Sequence, residues 1–366
     1  MNKSKKDVSQ GAPQSGAPTP APMQALYTKY RPHTFADVIG QDQIVRPLQE
    51  GIQAETTTHA YIFSGSRGTG KTSVARIFAR ELGTHPHDLY EIDAASHTGV
   101  DTIRELLESV QTLPYQSQFK VYIFDEVHML SKSAFNALLK TLEEPPAHAK
   151  FILATTEPEK IPETVRSRCE IHLFTKPSQD MLAQVVKNIS KKEKVMIEKG
   201  VAELIALAGN GSFRDTLSVL QKIIRSANAD TQKSGISTEA VVEITGLPST
   251  VHAMQLIEHM AAKDVSALVG LLTDLTQSQK NMTVFTDLVS ERMRAGLLMR
   301  LSAYDSRTSS LNKDDEVSLQ TILEKEPRIF SSKALLIMLN SYNYRGTALL
   351  PQLACELACL EIVEML

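Results

Sequence analysis

Between residue 60 and about residue 175, short apolar runs alternate with stretches whose apolar positions recur at helical spacing. The runs cover 60–63, 89–92, 121–124, 151–155 and 171–174. Each is short and without regular alternation, the pattern of strands buried on both faces of a parallel sheet. From Ser178 the strand pattern stops and helical periodicity takes over, with Met181, Leu182, Val185, Val186 and Ile189 predicted to share one face. The chain is therefore read as α/β, a parallel five-stranded sheet followed by helices alone. Thr245-Gly246-Leu247-Pro248-Ser249 breaks the helical part in two, and long helices are predicted over 251–260 and 349–366. The expected division is a flexible tail over 1–23, an α/β unit over 24–175, a small helical bundle over 176–246 and a second helical unit over 247–366. The tail is rich in Pro, Gly, Ala, Ser and Gln and has no aromatic residue, so it buries too little surface to order itself.

Composition changes this picture little. A chain of 366 residues exceeds the size at which one core keeps growing, in agreement with several units. The net charge of −3 gives no global attraction to nucleic acid, so such a partner has to be met by local patches or helix ends. The 3 cysteines, Cys169, Cys355 and Cys359, are too few and too scattered for a disulfide framework or a four-ligand zinc site, which fits a reducing cytoplasm. Cys355 and Cys359 fall on one helical face and read as small core residues. With no apolar run long enough for a signal segment or a span, no membrane partner is expected.

The chemistry begins at residues 65–72, which read Gly65-Ser66-Arg67-Gly68-Thr69-Gly70-Lys71-Thr72, a full G-x-x-x-x-G-K-[ST] phosphate loop between a predicted strand and a predicted helix. The glycines let backbone N–H groups converge, Lys71 supplies charge for the outer phosphates, and the Thr72 hydroxyl can hold magnesium at a helix start. The predicted strand 121–124 runs into Asp125 and Glu126. In phosphate-loop enzymes the first such acid orients the magnesium shell and the second polarises an attacking water. Thr156 follows the next strand and so reaches the same sheet edge, where a hydroxyl can bond the γ-phosphate or the lytic water. Arg168 in Ser167-Arg168-Cys169 and Arg214 in 211–215 are candidates for stabilising transition-state charge, from the same chain or from a neighbour. Taken singly, each arginine reads better as a surface ion pair, and the functional reading gains only from the whole set.

These features belong to longer segments: YTKYRPHTFADVIGQ at 27–41, EIDAAS at 91–96, DEVHML at 125–130, FNALLKTLEEPP at 135–146 and SRC at 167–169. With the phosphate loop they closely resemble the γ/τ subunits of bacterial DNA polymerase III clamp loaders, a family of AAA+ ATPases. The resemblance is strong over about residues 25–245 and looser beyond. It implies an AAA+ core, a helical lid and a helical collar through which subunits join into an open ring. It implies further that Arg31, Pro32, Val38 and Ile39 line the adenine side of an ATP site, that Thr156 senses the γ-phosphate, and that Arg214 is a sensor from the lid. Arg168 would complete the site of the adjacent subunit. The implied ligands are ATP and Mg2+. The implied partners are δ- and δ′-type subunits, further γ copies, the sliding clamp and primer-template DNA.

The chain departs from that pattern in three places. Family members carry a four-cysteine zinc module before the Asp-Ala-Ala-Ser strand end, whereas 81–90 holds no Cys, so zinc is not expected and His85 and His87 read as solvent-exposed. Where relatives place basic residues after Ser96, this chain has His97 and Gly99, so DNA contact is expected to lean on helix starts and on Lys140. The basic cluster 191–194 reads as a solvated helix face. Nothing like a long τ tail follows the apolar helix that ends at Leu366, so contacts carried by such a tail are expected to be absent. The rival readings are another AAA+ DNA motor of branch-migration type, and a non-hydrolysing subunit that only lends its arginine; an intact Lys71 and Glu126 stand against the second.

Overall fold

A computed structural model of the chain describes residues 24–96, 100–226, 235–246, 250–305, 311, 313–344 and 350–366. The tail 1–23, His97 and Gly99, and Leu247 to Ser249 of the predicted break lie outside the described residues.

Each apolar run becomes a strand: β1 (Ala60–Ser64), β2 (Leu89–Asp93), β3 (Lys120–Asp125), β4 (Ala149–Thr155) and β5 (Glu170–Leu173). Among the described residues they form one parallel sheet in the order β2-β3-β4-β1-β5. Alternate side chains along the central strands feed two cores. Tyr122, Phe124, Phe151 and Leu153 pack on one face against helices α4 (Val100–Val110) and α5 (Lys132–Glu143), through Ile103, Leu107, Phe135 and Leu138. Tyr61, Phe63, Ile123 and Ile152 pack on the other against α2 (Asp42–Gln53) and α3 (Lys71–Glu81), through Ile44, Leu48, Val74 and Phe78. The expectation of burial on both faces holds for β1, β3 and β4 and fails for β2 and β5. Those two are the sheet edges, each with one neighbouring strand, and Leu173 on β5 is left 64% exposed.

Among the described residues, helices follow β5, with one isolated bridge between Ile197 and Ile236. Ser178 caps α7 (Gln179–Lys192) by accepting a bond from the Met181 N–H at 3.2 Å, and α8 (Val201–Ala208), α9 (Phe213–Ser226) and a helix over Thr238–Thr245 pack with it in a small bundle. Leu182, Val185, Val186 and Ile189 enter its core with Ile205 and Leu220. Met181 does not join them. It leaves the bundle face and lays its sulfur over Gly40, 2.7 Å from where a Cβ would stand. A short helix near the start, α1 (Leu26–Lys29), packs against α9, with Leu26 in the same core and its N–H donated to the Gln221 side chain at 3.0 Å. The basic cluster at 191–194 is more than a solvated face, because Glu193 accepts bonds from Lys29 Nζ and the Tyr30 hydroxyl, both at 2.6 Å.

The last helices, Thr250–Ala262, Val265–Gln277, Met282–Arg300, Lys313–Lys325, Ser332–Asn340 and Leu353–Met365, share a separate core that includes Phe285, Phe330, Cys355 and Cys359. Arg292 and Asp315 form a buried ion pair at 2.7 Å between two of them. The helix expected over 349–366 starts only at Leu353, because Pro351 lacks an N–H and restrains the residue before it to extended backbone. Residue 349 lies outside the described residues. Among the described residues, no helix is long and apolar enough to cross a membrane.

Candidate nucleotide site

The sheet register assembles the site. Ser64 at the end of β1 lies beside Thr155 of β4, and β4 lies beside β3, which ends at Asp125. Three strand ends thus meet at the carboxyl edge, where open parallel sheets bind ligands. The glycine-rich turn leaves β1 there and enters α3 at Lys71.

Two glycines in that turn are required by their surroundings. A Cβ on Gly65 would lie 2.5 Å from the Phe174 carbonyl oxygen, with φ at +149°. A Cβ on Gly68, with φ at +76°, would lie 2.0 Å from the Ser212 hydroxyl. The second contact is with the helical bundle, and it is reinforced by a backbone bond from the Phe213 N–H to the Gly68 carbonyl at 3.0 Å.

Lys71 is buried and donates to the carbonyls of Gly65 at 2.7 Å and Ser66 at 3.0 Å, so its ammonium is held over the loop. Burial pushes its pKa down, against the opposing pull of Glu126 and Asp125; the Arg214 charge adds to the depression. The Thr72 hydroxyl donates to Asp125 Oδ2 at 2.9 Å. Asp125 Oδ1 in turn accepts the Glu126 N–H at 3.1 Å. Glu126 sits in the left-handed region with φ at 49°, a strained conformation for a side-chain-bearing residue and one that turns its carboxylate back toward the loop edge. There Glu126 Oε2 accepts the Thr156 hydroxyl at 3.0 Å.

A cleft opens over this edge. It is lined by Arg31, Pro32, Val38 and Ile39 on one side, by Arg67 and Gly68 through Thr72 along the loop, and by Asp125, Glu126 and Arg214. Gly65 and Ser66 adjoin it through their bonds to Lys71, and Thr156 through its bond to Glu126. The Arg214 guanidinium stands 5.9 Å from the centre of the Tyr27 ring. Two candidates lie elsewhere. Lys140 is exposed on α5, and Arg168 donates away from the cleft, to the Thr164 carbonyl at 2.7 Å and to Glu143 Oε1 at 2.9 Å.

Other residues belong to the site without having stood out in the sequence. Tyr27, Tyr30 and Asp37 line the cleft from the segment 27–41, and Val185, Ile189, Phe213 and Leu217 line it from α7 and α9. The helix residues carry an apolar period that reads as core, so nothing in it marks them as a pocket wall. His128, in the quoted DEVHML segment, bridges Thr155 Oγ1 at 3.0 Å and Glu157 Oε1 at 3.2 Å and stands 3.6 Å from Glu126 Oε2. Gln41 ties the segment 27–41 to the stretch that follows β5, donating to the Thr175 carbonyl at 2.8 Å.

His85 is half-buried and His87 exposed, their rings 5.2 Å apart, and among the described residues no group of three or more His, Cys, Asp or Glu is arranged to hold a metal. Cys169, beside Arg168, has its thiol pushed up to about 12 by burial. Its alkylation by iodoacetamide at pH 8 is accordingly expected to run at least tenfold slower in the native protein than after denaturation, roughly following the thiolate fraction. Equal rates would show that burial does not hold the thiol protonated in the native protein.

A phosphate loop at the carboxyl edge of a β2-β3-β4-β1-β5 parallel sheet, faced by helices of a following bundle, defines a nucleotide-binding protein of the AAA+ class. Solved structures of Thermotoga maritima RuvB, described as a Holliday junction branch migration motor, share this fold with a TM-score of 0.51 at 21% identity, covering 67% of this chain and 85% of that one. The sequence family described as DNA polymerase III, delta subunit, matches residues 83–178. DNA polymerase III subunit gamma of Buchnera aphidicola is 38% identical over 275 residues, 69% of this chain and 74% of the relative. Subunit gamma/tau of Mycobacterium tuberculosis is 35% identical over 366 aligned residues, covering 93% of this chain and 62% of the relative. Subunit tau of Bacillus subtilis is 42% identical over 279 residues, 70% of this chain. The chain belongs to the DNA polymerase III gamma/tau subunit family. It spans about half the length of the curated tau subunits it matches, 49% of the Bacillus subtilis protein and 42% of that from Escherichia coli.

Proposed function

We propose that the chain is an ATPase subunit of a replicative clamp loader, in which ATP binding and hydrolysis drive loading of a sliding clamp onto primed DNA. What supports the reading most directly is the division of the candidate residues. The loop lysine, the Thr72–Asp125 pair and the Glu126–Thr156 pair converge on one cleft, while Arg168 lies half-buried outside it. A cleft that holds every candidate but Arg168, and an Arg168 directed elsewhere, would be joined into a complete site only when a second protomer is apposed.

In this reading Lys71 neutralises the outer phosphates and the loop N–H groups hold them. The Thr72 hydroxyl and the Asp125 carboxylate, hard oxygen donors already 2.9 Å apart, fit a magnesium ion and would hold it, and the ion would supply charge neutralisation for the phosphates. Glu126 polarises the attacking water, with Thr156 setting the orientation of its carboxylate. Arg31, Pro32, Val38 and Ile39 form the adenine side, and Arg214 brings the lid to the phosphates. We assign 24–175 as the nucleotide-binding domain, 176–246 as the lid and 247–366 as the collar, with 1–23 as a tail. The partners are δ- and δ′-type subunits, further copies of this chain, the clamp and primer-template DNA in the cytoplasm, with Lys140 on α5 a DNA contact.

The test is ATP turnover by the loader assembled with its partner subunits, with and without clamp and primed DNA. Turnover is expected to rise when both are present. Arg168→Ala is expected to lower the stimulated rate by about a thousandfold, the scale at which an arginine finger acts. Equal rates in all conditions, or an unimpaired Arg168→Ala loader, would overturn the reading.

A further inference from the structure

Glu143 is the last residue of α5 and is followed by Glu144 and two prolines. The carbonyl end of a helix carries partial negative charge, which disfavours a carboxylate at that position. Local preference therefore does not account for an acid there, and residues that break a local rule are where function is to be sought.

The structure gives Glu143 one task. Its Oε1 accepts from Arg168 Nη2 at 2.9 Å, while Arg168 Nη1 donates to the Thr164 carbonyl at 2.7 Å and to the Ser167 hydroxyl at 3.3 Å. Among the described residues, Glu143 is the one acceptor around this guanidinium that is remote in sequence. The nearby Arg166 is different, since it pairs at 3.4 Å with Glu163 on its own helix turn. Both ends of the Glu143–Arg168 contact are anchored from below. Leu142 and Val165 are buried in the same core, so the end of α5 and the short helix α6 (Glu163–Arg166) are fixed relative to each other. Arg168 nonetheless stays 35% exposed, with N–H groups left to face outward.

We infer that Glu143 is a positioning residue for Arg168, holding the guanidinium in the orientation in which it enters the nucleotide site of a neighbouring protomer. The inference rests on the role in trans proposed above for Arg168. Side-chain freedom in a long arginine works against a transition-state contact that demands fixed geometry, and a charged acceptor on a rigid helix end removes that freedom before the protomers meet.

The experiment compares loaders assembled with clamp and primed DNA from the full chain carrying Glu143→Ala, Glu143→Gln, Arg168→Ala, or Glu143→Ala with Arg168→Ala. Glu143→Ala is expected to lower kcat by about tenfold or more, as small misplacements of catalytic groups do, with KM for ATP and the native mass of the ring unchanged. Glu143→Gln keeps an acceptor at the same reach and is expected to recover most of that loss. The double variant is expected to be no slower than Arg168→Ala alone. The inference is overturned if Arg168→Ala slows the loader while Glu143→Ala does not, if the two losses multiply, or if Glu143→Ala dissolves the ring. An Arg168→Ala loader at full rate would instead remove the role in trans itself, and with it the need for a positioning residue.

Discussion

Lys71→Ala is expected to reduce ATP turnover by at least about a hundredfold and to weaken nucleotide binding by about ten- to a hundredfold, the range for losing charge-assisted bonds to phosphate. Two consequences of its setting point the same way. Its ammonium is the charge buried at the base of the loop, and burial makes that charge act through a medium less screening than water. The same group bonds the Gly65 and Ser66 carbonyls, so its removal also frees the loop backbone that must present N–H groups to the phosphates. A fluorescent nucleotide titration and a turnover assay on the assembled loader measure the two effects, and a thermal melt of the variant establishes that it is folded. Wild-type affinity in a folded Lys71→Ala protein would exclude the cleft as the nucleotide site.

Glu126→Gln separates binding from hydrolysis. The amide keeps the size of the carboxylate and can still accept the Thr156 hydroxyl bond, so the loop edge retains its shape. It loses the negative charge that, in the proposed function, polarises water, and general-base assistance contributes about a hundred- to ten-thousandfold. The expected result is a fall in kcat of at least about a hundredfold with nucleotide affinity within a few-fold of wild type. A stable ATP complex isolated by rapid filtration would display the separation directly. If kcat survived, the strained backbone at Glu126 would need another explanation, and the water would have to be activated elsewhere.

Much of this arrangement was legible in the residues. The strands announced themselves because parallel strands under helices on both sides need unbroken apolar runs, and β1, β3 and β4 have them. The phosphate loop and the Asp125–Glu126 pair were legible because their chemistry admits few substitutes. Edge exposure in β5 was not, since Ile171 and Leu173 look in sequence like any covered pair and only strand order makes them peripheral. Periodicity likewise assigned Met181 to the bundle face, whereas a long flexible thioether reaches over Gly40 instead. The cleft wall from Val185, Ile189 and Leu217 was hidden for the opposite reason: residues that roof a pocket and residues that fill a core share one pattern. The Glu143–Arg168 contact joins positions 25 apart, a pairing set by how α5 and α6 rest on the sheet and by nothing local.

The bond from Phe213 to the Gly68 carbonyl, with Ser212 pressed against the same glycine, ties the bundle directly to the loop. If the loop holds phosphate as proposed, tilting α9 would pull on the backbone that grips it, and gripping it would set the tilt. Linkage would then make the leverage equal in both directions: a neighbour that preferred one angle of the bundle would raise or lower affinity for nucleotide by the same factor with which nucleotide altered the neighbour's hold.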